Sequence, residues 1–136
     1  MYAKNLLEKK SRPLVTVTPD VTFTEAMDLL VANDIGCLPV LDRGRLVGMV
    51  FSKTALRWIH ANKGQYHEST VADVMARDIF VGRPSDELAM LTAMMDKAGV
   101  THVPIISQGD LVGVVSQRDI IHSQATDQQI ENRYLN

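Results

Sequence analysis

Setting Pro19 on Pro84 brings two halves of the chain into register at an offset of 65 residues. Without a gap, Pro39 then falls on Pro104, Gly44 on Gly109, Leu46-Val47-Gly48 on Leu111-Val112-Gly113 and Val50 on Val115. Apolar positions agree as well: Val15 with Phe80, Val40 with Ile105, Leu41 with Ile106. Upstream, Ala3-Lys4-Asn5-Leu6-Leu7 resembles Val71-Ala72-Asp73-Val74-Met75 after a small shift. A repeat that carries turn residues and apolar periods together constrains the fold strongly, because both copies must build the same elements.

Phe23, Ala26, Met27 and Leu30 follow the i, i+3, i+4, i+7 spacing of one helix face, and Leu88, Leu91, Thr92 and Met95 keep it. Thr22 with Glu25 three residues on reads as a capping box after Pro19. Leu38 to Leu41, a turn at Arg43-Gly44 and Leu46 to Val50 read as a hairpin, followed by a helix from Ser52 to Ala61. The second copy repeats this with Val103 to Ile106, a Gln108-Gly109 turn, Leu111 to Val115 and a helix from Ser116.

With an opening strand, each copy is β-α-β-β-α, and the class is α+β. One such unit has an apolar sheet face it cannot cover alone. Two are therefore expected to pack sheet to sheet with pseudo-two-fold symmetry around one core. The chain divides into repeat one (3–62), a linker (63–69) beginning near His60, repeat two (70–124) and a polar tail (125–136). A short helix is expected after Thr70, with Asp73 at its third position, and a helical extension in the tail.

The 136 residues suffice for one module and leave no room for a separate catalytic domain. Opening on Met1 and closing in the polar tail, the chain is expected to be complete rather than excised from a larger protein. Net charge is −2 and no basic run exceeds Lys9-Lys10, so no nucleic-acid footprint is visible. No apolar stretch approaches the length of a membrane span. Cys37 is the only cysteine, which excludes an intrachain disulfide and CxxC metal sites and suits a cytoplasmic location. His60, His67, His102 and His122 are scattered, with no metalloprotease, nucleophile-elbow or phosphate-loop motif. No catalytic or metal-ligating set is expected, and the seven methionines read as core filler.

Two segments resemble the cystathionine-β-synthase (CBS) repeat. One is Gly36-Cys37-Leu38-Pro39-Val40-Leu41 with Leu46-Val47-Gly48-Met49-Val50. The other is Thr101-His102-Val103-Pro104-Ile105-Ile106 with Leu111 through Asp119. The resemblance covers nearly the whole chain and implies a Bateman module, a regulatory pair that commonly binds AMP, ADP, ATP or S-adenosylmethionine in clefts between its repeats. It also implies a homodimer that buries the helices after the hairpins, here those carrying Leu56, Trp58 and Ile59 and Ile120-Ile121. A target protein is the other partner class.

In the family, a Gly-h-h-Ser/Thr-x-x-Asp run supplies a hydroxyl for phosphate and a carboxylate for ribose. Repeat two keeps it in Gly113-Val114-Val115-Ser116-Gln117-Arg118-Asp119. Local chemistry supports two readings. Ser116 opens a helix whose free N–H groups face an anion and Asp119 can accept ribose hydroxyls, yet Ser-x-x-Asp is also a helix cap that needs no ligand. Repeat one departs from the run, with Phe51 at the hydroxyl position and Thr54 at the carboxylate position. One competent site per chain is expected.

The resemblance places Ile35, Gly36 and Cys37 on the adenine-facing edge, Ser11 and Arg12 at the same rim, and Thr101 and His102 near phosphate. Arg118 is a further phosphate candidate. His102 would make affinity pH-sensitive near its unperturbed pKa of ~6.5. The expected function is a regulatory adenine-nucleotide sensor with no required cofactor. The rivals are a ligand-free dimerisation module and an S-adenosylmethionine sensor.

Overall fold

A computed structural model describes residues 1–10, 12–124 and 133. The expected helical extension of the tail and the rim residue Ser11 lie outside the described residues. The elements are α1 (Ala3–Lys9), α2 (Phe23–Ala32), β1 (Cys37–Asp42), β2 (Arg45–Phe51), α3 (Ser52–Ala61), α4 (Val71–Val74), α5 (Leu88–Ala98), β3 (His102–Ser107), β4 (Asp110–Ser116) and α6 (Gln117–Gln124). They form an α+β fold with two two-stranded sheets, β1-β2 and β3-β4.

Both hairpins turn on two residues with positive φ, Arg43 (52°) with Gly44 (79°) and Gln108 (52°) with Gly109 (84°). Two left-handed residues in a two-residue loop match the twist of antiparallel strands, so the repeated X-Gly pair fixes hairpin register. In the first hairpin Leu38 faces Val50 and Val40 faces Gly48, with a bulge before Leu41.

The opening strand of each copy is shorter than expected. It is a single parallel bridge, Val17 to Val40 and Gly82 to Ile105. Two backbone bonds make each one: Val17 N–H to Pro39 O (3.0 Å) and Leu41 N–H to Val17 O (2.8 Å), then Gly82 N–H to Pro104 O and Ile106 N–H to Gly82 O (both 2.8 Å). Prolines at 13, 19 and 84 leave little room for a longer ladder on either side.

The compact units do not coincide with the sequence copies. Unit one comprises Met1–Arg12, Phe80–Ser107 and the chain from Val112, and unit two comprises Pro13–Ile79 with Gln108–Leu111. The helix that opens each copy thus packs with the strands of the other. In unit one, Ala3 N–H bonds Asp86 O (2.8 Å) and Lys4 N–H bonds Pro84 O (3.0 Å). Unit two repeats the pair with Val71 N–H on Val21 O (2.8 Å) and Ala72 N–H on Pro19 O (2.9 Å). The short helix expected after Thr70 is α4, and Asp73 accepts from the Thr70 N–H at 2.9 Å to close its start. Only half of the box at Thr22 forms, its hydroxyl accepting from the Glu25 N–H.

The core of unit one joins Ala3 and Leu6 of α1 to Leu88, Leu91 and Met95 of α5, Val103, Ile105 and Val115 of the sheet, and Ile120 of α6. Thr92, expected on the apolar face of α5, is exposed and returns its hydroxyl to Leu88 O (3.0 Å). Unit two builds one cluster around Leu38, Val40, Val50, Val71 and Met75. A second gathers Phe23, Ala55 and Val74 beneath Trp58 and Tyr66. Tyr66, from the segment read as a linker, meets the Phe23 ring edge-on at 5.4 Å. Trp58 covers this core and donates to Ser69 Oγ (2.9 Å), whereas Leu56 on the same helix is 68 % exposed.

The repeated Leu-Val-Gly triplets mark where the opening helices pass. A Cβ on Gly113 would stand 2.5 Å from Leu7 Cδ2, and one on Gly48 would stand 2.7 Å from Met75 Sδ and 2.8 Å from the carbonyl oxygen of Ala76. Leu7 can rotate away, but the Ala76 backbone is held by a two-bond bridge to Met49 (3.0 and 2.9 Å). Gly48→Ala is therefore expected to lower unfolding free energy by ~1–3 kcal/mol, and Gly113→Ala by less. Urea denaturation measures both, and a larger loss at Gly113 would contradict the geometry.

Candidate functional site

Strand β4 ends at Ser116 and α6 begins at Gln117, so the last strand residue serves as the helix N-cap. The Asp119 N–H donates to Ser116 Oγ (3.0 Å), and the Ser116 N–H donates to Asp119 Oδ2 (3.0 Å). This reciprocal pair satisfies two of the four amide groups that a helix start leaves open. The cap reading is thus realised in full.

A third group converges here. Lys10, just past the end of α1, places its ammonium 2.9 Å from Asp119 Oδ2, and the same ammonium donates to the carbonyl of Val114. The lysine and aspartate side chains are 35 % and 30 % exposed, so solvent reaches the pair. Burial pushes the Asp119 carboxyl up, but the Ser116 amide, Lys10 and the Ser116 hydroxyl together hold it below its ordinary 3.8. The Ser116 amide and the Lys10 ammonium both meet the carboxylate at Oδ2.

His102 is half-buried at the start of β3, with Nδ1 2.9 Å from Thr101 Oγ1. The Thr101 carbonyl accepts from Gln117 N–H (2.8 Å), tying this strand start to the first turn of α6. Burial lowers the His102 pKa, Lys10 lowers it further, and Asp119 partly opposes them. The sequence-based value of ~6.5 for any pH response is corrected downward, because desolvation disfavours the charged ring.

The structure thus brings Ser116, Asp119, Thr101 and His102 together in unit one. Arg118 and Arg12 belong to the same unit and are exposed. Ile35, Gly36 and Cys37 belong to unit two. Ile35 packs half-buried against the Leu38 cluster. The Gly36 carbonyl accepts from both the amide (3.0 Å) and the hydroxyl (3.2 Å) of Ser52. Cys37 is buried opposite Phe51. At the matching helix start, Phe51 caps α3 with no side-chain bond.

Sequence reasoning missed Lys10. It is one of two adjacent lysines at the end of a helix, and nothing local connects it to Asp119 more than a hundred residues on.

Among the described residues no cluster of His, Cys, Asp and Glu could hold a metal ion, and no helix is long and apolar enough to cross a membrane.

Two copies of one α+β unit, each with a two-residue hairpin leading into a helix, and a polar cluster at only one of the two helix starts, define a tandem-repeat module with diverged copies. The CBS domain family matches twice, over residues 6–61 and 71–126, and the chain belongs to that family as a CBS pair. A CBS domain-containing protein of Bacillus subtilis, YhcV, is 28 % identical over 124 residues, covering 90 % of this chain and 87 % of that protein. Seven other curated relatives are longer, and the chain spans less than half of each. The crystal structure of the CBS-domain protein ATU1752 of Agrobacterium tumefaciens superposes with a TM-score of 0.85 at 28 % identity, over 92 % of this chain and all of that one. The CBS pair of MJ0100, solved with 5′-methylthioadenosine and S-adenosyl-L-methionine, shares the fold at 22 % identity (TM-score 0.77, 98 % of both chains).

The charges around His102 predict opposite responses to two substitutions. Lys10→Gln removes a repulsion and is expected to raise the His102 pKa, whereas Asp119→Asn removes an attraction and is expected to lower it. NMR titration of the imidazole reads both, and shifts in the same direction would contradict the arrangement. The stability consequence has one sign. The native fold disfavours protonated His102, so stability is full above the ordinary value of 6.5 and declines as pH falls below it toward the lowered native value. Asp119 adds a loss of the same sign below 3.8.

Proposed function

We propose that this CBS pair is a cytoplasmic regulatory sensor, not an enzyme, that binds an adenosyl ligand, foremost an adenine nucleotide, at the start of α6. The supporting observation is the Asp119 carboxylate. It is charged, held at the helix start by Ser116 and paired with Lys10, and a carboxylate can accept both hydroxyls of a ribose. In this reading the hydroxyl of Ser116 and the imidazole of His102 stand nearest the phosphate, with Thr101, Arg118 and Arg12 around them. Thr54 stands where repeat one would need the carboxylate, which argues for one site per chain. The complex described for MJ0100 indicates that this fold accommodates an adenosyl group, so S-adenosylmethionine remains the second ligand to test.

The ligand acts by shifting how the module packs against a second copy or a target protein, which requires different affinity for the two states. Helices α3 and α6 each expose one large apolar residue at the same repeat position, Leu56 (68 %) and Ile121 (49 %), and we assign the homodimer contact to these helices. Replacing both by glutamate is expected to give a monomer in sedimentation velocity, and an unchanged oligomeric state would remove that assignment.

Calorimetric titration with AMP, ADP, ATP and S-adenosylmethionine tests the sensor. One saturable site per chain is expected, weakened about tenfold or more in Asp119→Asn, which loses the charged acceptor but keeps an oxygen for the cap. The closed reciprocity of the Ser116–Asp119 cap favours one rival, a ligand-free dimerisation module. Absence of binding by all four ligands would establish that rival.

A further inference from the structure

The two units satisfy equivalent carbonyls in different ways, and the difference falls on the site. In unit two the Met49 carbonyl accepts from the backbone N–H of Ala76 (2.9 Å), a bond fixed by the chain itself. In unit one the carbonyl at the same repeat position, Val114, accepts from the ammonium of Lys10, on a flexible four-carbon stem. A fixed backbone bond therefore serves this fold where Thr54 stands. The lysine appears where the carboxylate Asp119 stands, and one ammonium bridges both acceptors.

Its anchor is firm and its tip is not. Ala3 and Leu6 are buried in the core and fix α1, while Lys10 itself follows the helix in extended backbone (φ −75°, ψ 128°). The ion pair is about one-third exposed at both ends. Solvent reaches both ends of the pair and weakens it, so a ligand can displace the lysine at little cost.

We propose that Lys10 is a built-in counter-ligand that makes this site select adenosyl ligands carrying a phosphate. With the site empty, the ammonium occupies Asp119. A ribose diol that takes the carboxylate frees the ammonium, which then needs a new anion. A phosphate on the same ligand supplies one. An uncharged nucleoside leaves the ammonium only the neutral Val114 carbonyl and solvent, and S-adenosylmethionine sets a sulfonium where a nucleotide has its phosphate. Discrimination arises from what the displaced lysine meets, a difference between two affinities rather than one strong contact.

This inference rests on the adenosyl reading of the site, and the test separates the two. AMP, adenosine and S-adenosylmethionine are titrated calorimetrically into the full chain and into Lys10→Gln, which can still donate to the Val114 carbonyl. In Lys10→Gln, adenosine affinity is expected to rise about two- to fivefold as the competing ion pair disappears. AMP affinity is expected to fall about tenfold with the lost charge-assisted contact, and Lys10→Arg is expected to keep the preference for AMP. Adenosine and AMP weakening together would make Lys10 a structural prop and overturn the proposal, as would an unchanged ratio between them. Failure of the wild-type chain to bind any of the three would overturn the adenosyl reading itself, and this proposal with it.

Discussion

A two-stranded sheet flanked by two helices cannot close its own core, and the rest of this structure follows from how that shortage is met. Each sheet takes the opening helix of the other sequence copy. Ala3 and Leu6 complete the cluster of Leu91, Ile105 and Val115, and Val71 and Met75 complete that of Leu38, Val40 and Val50. The approach is possible because the strand residue beneath each helix is a glycine. Removing either helix would expose the inner face of a sheet too small to be stable alone.

The exchange also decides the chemistry. Were α1 packed beside its own copy, Lys10 would lie in the unit whose helix start carries Phe51 and Thr54. It lies instead in the unit that holds Ser116, Asp119 and His102, where a lysine has a carboxylate to meet. Three charges or potential charges then share a small volume. Burial and Lys10 favour a neutral imidazole, while the helix-start amide and the ammonium favour the ionised carboxylate. The two copies have diverged to one helix start capped reciprocally by Ser116 and Asp119 and one whose cap, Phe51, makes no side-chain bond.

Much of this was legible in the residues. The X-Gly pairs at Arg43-Gly44 and Gln108-Gly109 specify two-residue turns through backbone sterics alone, and strand pairing follows from them. The apolar period of α2 and α5 locates their buried faces, and Ser-x-x-Asp announces a helix start whatever else it does. Other features resisted such reading. The opening strands shrink to single bridges because neighbouring prolines limit a ladder whose length periodicity cannot reveal. Thr92 keeps the spacing of a core residue but finds its own helix carbonyl closer. Trp58 is expected on a dimer-facing helix, and the position of Phe23 and Ser69 shows that it packs over the core of its own unit.

By itself, then, the sequence determined the number of copies, the elements in each, their turns and the family to which they belong, because these depend on local sterics and short apolar periods. Tertiary structure alone decided which helix completes which sheet, and so which lysine stands over Asp119. Those outcomes depend on contacts between residues far apart in the sequence, Lys10 and Asp119 among them. Burial of apolar surface is nearly indifferent to which copy supplies it, so no local pattern could announce the exchange.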